Sequence, residues 1–181
     1  VKPDENTIRK SFNIPQAATV ITCIAGFRPE KGHENLLKVF ETLPIDTILL
    51  LAGDGPCRKI IESKAQKLNI SARVKFLGNL DDVRPVLKVS DLSVLASTAV
   101  ETFSIAMLES LAMEVPVIAT DIGGMKEAIL PGETGDLVRV GSETDLANKL
   151  SYYLENKNEL TSMGKKGRQI VEEKFSLNQM I

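Results

Sequence analysis

The strongest constraint on this chain is a set of short apolar runs that do not alternate. "TVITCIAGF", "DTILLLAGDG", "RVKFLGN", "DLSVLAS", "PVIATD" and "GDLVRV" are rich in Val, Ile and Leu, with no polar residue at every second position. A strand with one face in water alternates, whereas a strand buried on both faces does not. Longer segments of helical period lie between the runs. In "KGHENLLKVFETL", Leu36, Leu37, Phe40 and Leu43 recur at helical spacing while Glu34, Lys38 and Glu41 face outward. "PCRKIIESKAQKLNI" reads as a second helix, with Pro56 suited to its first turn. "DDVRPVLKVS" reads as a short third helix, and "GGMKEAI" follows the fifth strand. Such alternation predicts an α/β fold, a parallel sheet of about six strands with helices on both faces. The 181 residues suit a single domain over 1–181. Residues 1–17 form its lead-in and 142–181 two polar outer helices, separated by a break at "MGKKG".

Bulk properties narrow the function. Hydrophobic residues make up 43% of the chain, enough for a sizeable core. A net charge of −2 argues against nucleic acid as a partner, which would need a basic face. No apolar run approaches the ~20 residues of a membrane helix. The polar start "VKPDENTIRKSFNIP" does not read as a signal peptide and has no initiator Met, as expected of a piece of a longer protein. Cys23 in a strand and Cys57 at a helix start read as reduced, cytosolic thiols rather than a disulfide framework. The lone histidine, His33, has no Cys or His at metal-ligand spacing and reads as a surface residue at a helix start.

Ligands of open α/β sheets bind beyond the carboxyl ends of the strands. The segments expected there are "GFRPEKG", "GDGP", "LGNL", "STAVETFS" and "TDIGG". Gly-rich turns and helix N-termini at that edge bind anions through backbone N–H groups. "GDGPCR" is not a dinucleotide fingerprint, because its third Gly is missing and no acid follows about 20 residues on. There is no phosphate-binding G-x-x-x-x-G-K motif and no Asp-x-Asp pair, so neither that loop nor a metal-held diphosphate is indicated. One histidine without a Ser or Cys elbow leaves no nucleophilic triad.

Two acids stand out. Phe103 to Met113 reads as an apolar helix interrupted by Glu109, and Glu101 stands just before it. Eight residues of helix advance about 12 Å. An anion docked on the helix N-terminus near Thr102 and Ser104 would have Glu101 beside it and Glu109 two turns away. A ligand with hydroxyl-bearing rings on both sides of a diphosphate could donate to both carboxylates. The spacing fits equally well a solvent-facing Glu109 and a Glu101 that only complements the helix dipole.

"ETFSIAMLESLAMEVPVIATDIGGMKEAI" resembles the donor-binding region of retaining glycosyltransferases of family 4, which have the GT-B fold. "RPEKGHENLL", "LLLAGDGP" and "VKFLGNL" resemble other segments of that family in the same order, so the likeness covers roughly residues 20–175. The resemblance implies a Rossmann-like domain, the C-terminal half of a two-domain enzyme whose N-terminal acceptor-binding half is absent here. It implies that Glu101 contacts the donor sugar, Glu109 the ribose and Lys31 the diphosphate. Backbone around Thr102, Phe103 and Ser104 would cradle phosphate, and backbone near Leu77, Gly78 and Leu80 would hold the base. The family arginine falls on Gly26, and Arg28 two residues later is its candidate replacement. Pro29 biases Arg28 toward an extended conformation, from which it either enters the cleft or turns to solvent and pairs with Glu30. Glu114 stands where the family often has Gly, at a helix end that favours a left-handed residue.

The implied reaction is transfer of a hexose from a UDP-, GDP- or ADP-sugar to a glycan or lipid-linked acceptor, with retention and without metal or other cofactor. The implied place is the cytoplasm, with any contact at the inner face of the membrane made through the absent half. A sugar-nucleotide epimerase half of GT-B-like architecture and a non-catalytic nucleotide-sugar-binding domain are the alternatives.

Overall fold

The computed structural model describes residues 4–99 and 103–175. The apolar runs become strands β1 (Thr19–Ile24), β2 (Thr47–Ala52), β3 (Val74–Gly78), β4 (Leu92–Leu95), β5 (Val117–Thr120) and β6 (Gly135–Val138). Between and around them lie helices α1 (Glu5–Ser11), α2 (His33–Glu41), α3 (Arg58–Lys67), α4 (Arg84–Lys88), α5 (Ile105–Ala112), α6 (Glu143–Glu155) and α7 (Lys157–Lys174). Among the described residues the strands form one sheet in the order β3-β2-β1-β4-β5-β6, with every neighbouring pair parallel. The expected fold class is borne out.

Burial explains the unbroken apolar runs. Successive residues of β1 and β2 go to opposite faces, and each face meets helices. Ile21, Cys23, Leu49 and Leu51 join a core with α2, α3 and α6, whereas Val20, Ile48 and Leu50 join one with α1 and α4. A third core gathers Leu95, Val117 and Ala119 under Met107 and Leu111 of α5. The far edge strand is tied down by a polar contact: buried Asp136 of β6 accepts hydrogen bonds from Tyr153 Oη at 2.5 Å and Lys149 Nζ at 2.9 Å on α6.

Four expectations change. The "MGKKG" segment is no break, because it lies within α7, and the two outer helices meet at Asn156 instead. Its glycines are small because α5 lies against them. A Cβ on Gly164 would stand 1.9 Å from the Glu114 carbonyl oxygen, and one on Gly167 would stand 2.7 Å from Leu111 Cδ2. The lead-in carries α1, whose N-cap Asp4 accepts from Thr7 N at 2.9 Å. The apolar run of α5 is not uniformly buried, since Ile105 is 72% exposed. His33 is not a surface residue. It is buried, and its ring stacks on Phe27 with centroids 4.5 Å apart. Burial, with a smaller contribution from the Lys31 charge, holds its imidazole down at about 4. Glu114 does take the left-handed conformation, with φ +61°.

Candidate functional site

The strand order reverses between β1 and β4, and a hollow opens beyond their carboxyl ends. Ala25 and Gly26 after β1, Ser97 after β4, Lys31, and the turn Phe103–Ser104 at the start of α5 line it. Its volume is about 250 Å³. That is below the ~300–1,000 Å³ of a site enclosing a whole small ligand, so it suits one anionic or ring portion of a larger one.

Local chemistry fixes each wall. Ser104 caps α5, its Oγ accepting from Met107 N at 3.3 Å, so the positive end of the helix faces the hollow. A buried bond of 3.0 Å from Ser110 Oγ to Ser93 Oγ ties α5 to β4. Lys31 ends a 3₁₀ turn, Pro29–Lys31, and Gly32 follows it in the left-handed conformation with φ +67°. A side chain there would collide with the Ala96 carbonyl, so only glycine lets this loop approach the end of β4. The loop is also bonded to the segment after β4, where Thr98 N donates to Glu30 O at 2.7 Å. Thr120 Oγ1 donates to Ser97 O at 2.6 Å and fixes the same segment to the end of β5. Cys23 lies beneath the hollow as a free thiol. Burial pushes it up to about 12, so it stays neutral there despite the nearby Lys31 charge.

The sequence-derived residues among those described fall into four places. Lys31, Phe103 and Ser104 come together in this hollow. Arg28 has the extended backbone that Pro29 dictates, φ −123° and ψ 153°, and lines a neighbouring hollow with His33, Cys57 and Thr98. Glu109 faces a third hollow on the α4 side, with Asp81, Asp82, Arg84 and Leu87. Partial burial there, and then the Asp82 charge, hold the Glu109 carboxyl above the ordinary glutamate range. Gly78 ends β3 with φ +72°, and Leu80 just beyond packs with Leu77 against the second core. Glu101 and Thr102 lie outside the described residues.

Sequence reading passed over the acids beside Glu109. Asp82 receives Arg84 Nε and Nη2, each at 2.8 Å. The pair "DD" after "LGNL", at the carboxyl edge of the third strand, was the available signal. It also passed over Phe175 at the end of α7, whose ring lies 5.5 Å from that of Phe103. No local pattern marks that contact. Among the described residues no group of three or more His, Cys, Asp or Glu side chains is placed to hold a metal ion. Among them, too, no helix is long and apolar enough to cross a membrane.

A doubly wound parallel sheet with a lysine and a helix N-terminus at its switch point has the architecture of nucleotide-binding α/β domains. The chain belongs to the family "Glycosyl transferases group 1", whose model matches residues 4–170. It is 34% identical over 182 residues to N-acetyl-alpha-D-glucosaminyl L-malate synthase of Bacillus anthracis, covering 99% of this chain and 48% of that protein. It is 33% identical to a GDP-mannose-dependent phosphatidylinositol monomannoside mannosyltransferase of Corynebacterium glutamicum, covering 96% of this chain and 48% of that one. Among solved structures, Anabaena HepE in complex with UDP-glucose superposes with a TM-score of 0.93 at 25% identity, over 99% of this chain and 51% of that chain. The chain thus spans about half the length of the relatives it matches, and its sheet is one Rossmann-like half of a GT-B glycosyltransferase fold.

Proposed function

We propose that this chain is the donor-binding half of a retaining, metal-independent glycosyltransferase of family 4. The whole enzyme transfers a hexose from a nucleotide sugar to a glycan or lipid-linked acceptor in the cytoplasm, and a second, N-terminal half binds the acceptor. The observation that carries this reading is the convergence of Lys31 with the Ser104-capped N-terminus of α5 at the switch point. In the proposed chemistry the donor diphosphate lies in that hollow. Negative charge grows on it as the bond to the anomeric carbon breaks, and the Lys31 ammonium and the α5 N-terminus stabilise that charge. Glu101 holds the sugar, Glu109 the ribose hydroxyls, Gly78 and Leu80 flank the base, and Arg28 adds positive charge beside the hollow. Relatives support a nucleotide sugar as ligand: HepE was crystallised with UDP-glucose, and the Corynebacterium protein is GDP-mannose-dependent. The nucleotide here is a uridine, guanosine or adenosine diphosphate.

Calorimetry with UDP, GDP, ADP and their hexose derivatives tests the proposal. One of the three is expected to bind, and the chain alone is expected to transfer no sugar. Glu109→Ala should weaken the plain diphosphate and Glu101→Ala only the sugar-bearing donor, each by about 1.5–3 kcal/mol for a lost charge-assisted hydrogen bond. No heat with any nucleotide at millimolar concentration would refute the reading.

A further inference from the structure

Helices α5 and α7 run antiparallel in a fixed register. Glu114, just past the end of α5, meets Gly164; Leu111 meets Gly167; and Phe103, just before α5, meets Phe175. Each step forward along α7 is matched by an equal step back along α5. At the near end of this pair two glycines let α7 approach Glu114 and Leu111 closely. The far end is the Phe103–Phe175 contact, with ring centroids 5.5 Å apart and planes inclined by 41°. Phe103 lines the hollow at the switch point, whereas Phe175 does not. Val171, one turn before Phe175, packs into the same third core, so the end of α7 is held against the sheet.

We infer that Phe175 is a positioning residue for the donor hollow, acting through the Phe103 ring. The inference rests on the function proposed above. Phe103 immediately precedes the Ser104 cap, so the setting of its ring is coupled to where the first N–H groups of α5 point. Phe175 packs against that ring from outside the hollow. Without this cover the ring can rotate into the hollow or away from it, and the phosphate cradle loses preorganisation. The last turn of α7, remote in sequence, thereby becomes part of the donor site.

The test measures dissociation constants of the cognate nucleoside diphosphate and its hexose derivative by calorimetry, on the whole 181-residue chain. Phe175→Ala should weaken binding about two- to twelvefold, the range expected for one aromatic pair. Phe175→Leu keeps most of the apolar cover and should recover most of the affinity. Phe103→Ala should weaken binding as well, and the double variant should be no worse than Phe103→Ala alone, because Phe175 acts only through that ring. Circular dichroism melts establish that each variant is folded at the assay temperature, and Phe175→Thr, which also removes the ring, serves if Phe175→Ala is not. Parent-like affinity in folded Phe175→Ala, or in its substitute Phe175→Thr, overturns the inference alone, as do losses that add in the double variant. A parent chain that binds no nucleotide overturns both the inference and the function it rests on.

Discussion

Replacing Gly164 with Ala sets two known effects against each other. At a solvent-facing helix position the change stabilises by about 0.5–1 kcal/mol, because alanine is the better helix former. At position 164 the added methyl would stand 1.9 Å from the Glu114 carbonyl oxygen and 2.7 Å from its carbon, where ordinary contact begins near 3.4 Å. A methyl has no rotamer with which to escape. Either α7 or the turn after α5 must therefore retreat by about 1.5 Å, and a close-packed core resists such movement. Overpacking of this kind costs about 1–3 kcal/mol, and contact with rigid backbone belongs at the upper end. The net expectation is a loss of about 2 kcal/mol, or roughly 4–8 °C in Tm for a domain of this size. Urea and thermal melts followed by far-UV circular dichroism measure it. Gly167→Ala should cost less, because its nearest neighbour is the movable Leu111 Cδ2 at 2.7 Å. Lys165→Ala, exposed on the same helix, should be near neutral. A Gly164→Ala protein as stable as its parent would refute the close approach of α5 and α7.

Lys31→Ala should weaken nucleoside diphosphate binding strongly and Arg28→Ala less. Both losses should shrink as salt rises, because charge attraction in an open cleft is screened; an unchanged affinity for Lys31→Ala at low salt would remove the phosphate-clamp role. The Glu109 carboxyl is held above its ordinary range, so its charged form costs stability at neutral pH and that cost fades as pH falls through its titration. Glu109→Gln should thus leave the ligand-free protein at least as stable at pH 7 while weakening nucleotide binding, and a lower Tm would contradict this. His33, held at about 4 against an ordinary 6.5, takes up a proton on unfolding. Stability should accordingly fall between pH 6.5 and 4, by on the order of 3 kcal/mol. His33→Phe, which keeps the stack on Phe27, should flatten that acid limb, and an unaltered limb would show that another group causes it.

The sheet was legible because parallel strands buried on both faces leave their signature in composition alone. Leu49, Leu50 and Leu51 in succession admit few other readings once all three are to be buried. Lys31 and the α5 N-terminus were legible because turn chemistry and strand order place them on one edge. What escaped depends on tertiary contact. "MGKKG" looks like a helix break because glycine is a poor helix former, yet close packing on Glu114 and Leu111 outweighs that propensity. His33 looked like a polar residue at a helix start, and nothing nearby announces that Phe27 lies beneath it. Glu109 was noticed as an acid in an apolar run, but its neighbours Asp82 and Arg84 come from another loop. The pairing of Phe103 with Phe175 spans most of the chain's second half and has no local trace.

The reversal of strand order also makes the hollow depend on contacts between two parts of the chain that are distant in sequence. Strands β1 to β3 are neighbours in both sequence and space, and so are β4 to β6. The seam between these halves is β1 against β4, where Asp91 Oδ2 accepts from Val20 N across 71 residues of chain. Closing so long a loop is slow relative to forming either half. The hollow straddles that seam, taking Ala25 and Lys31 from one half and Ser97 and Phe103 from the other. It is complete only once β1 and β4 are paired. A bound nucleotide therefore grips the finished sheet and neither half alone: it should slow unfolding in proportion to its affinity while leaving the rate of refolding unchanged.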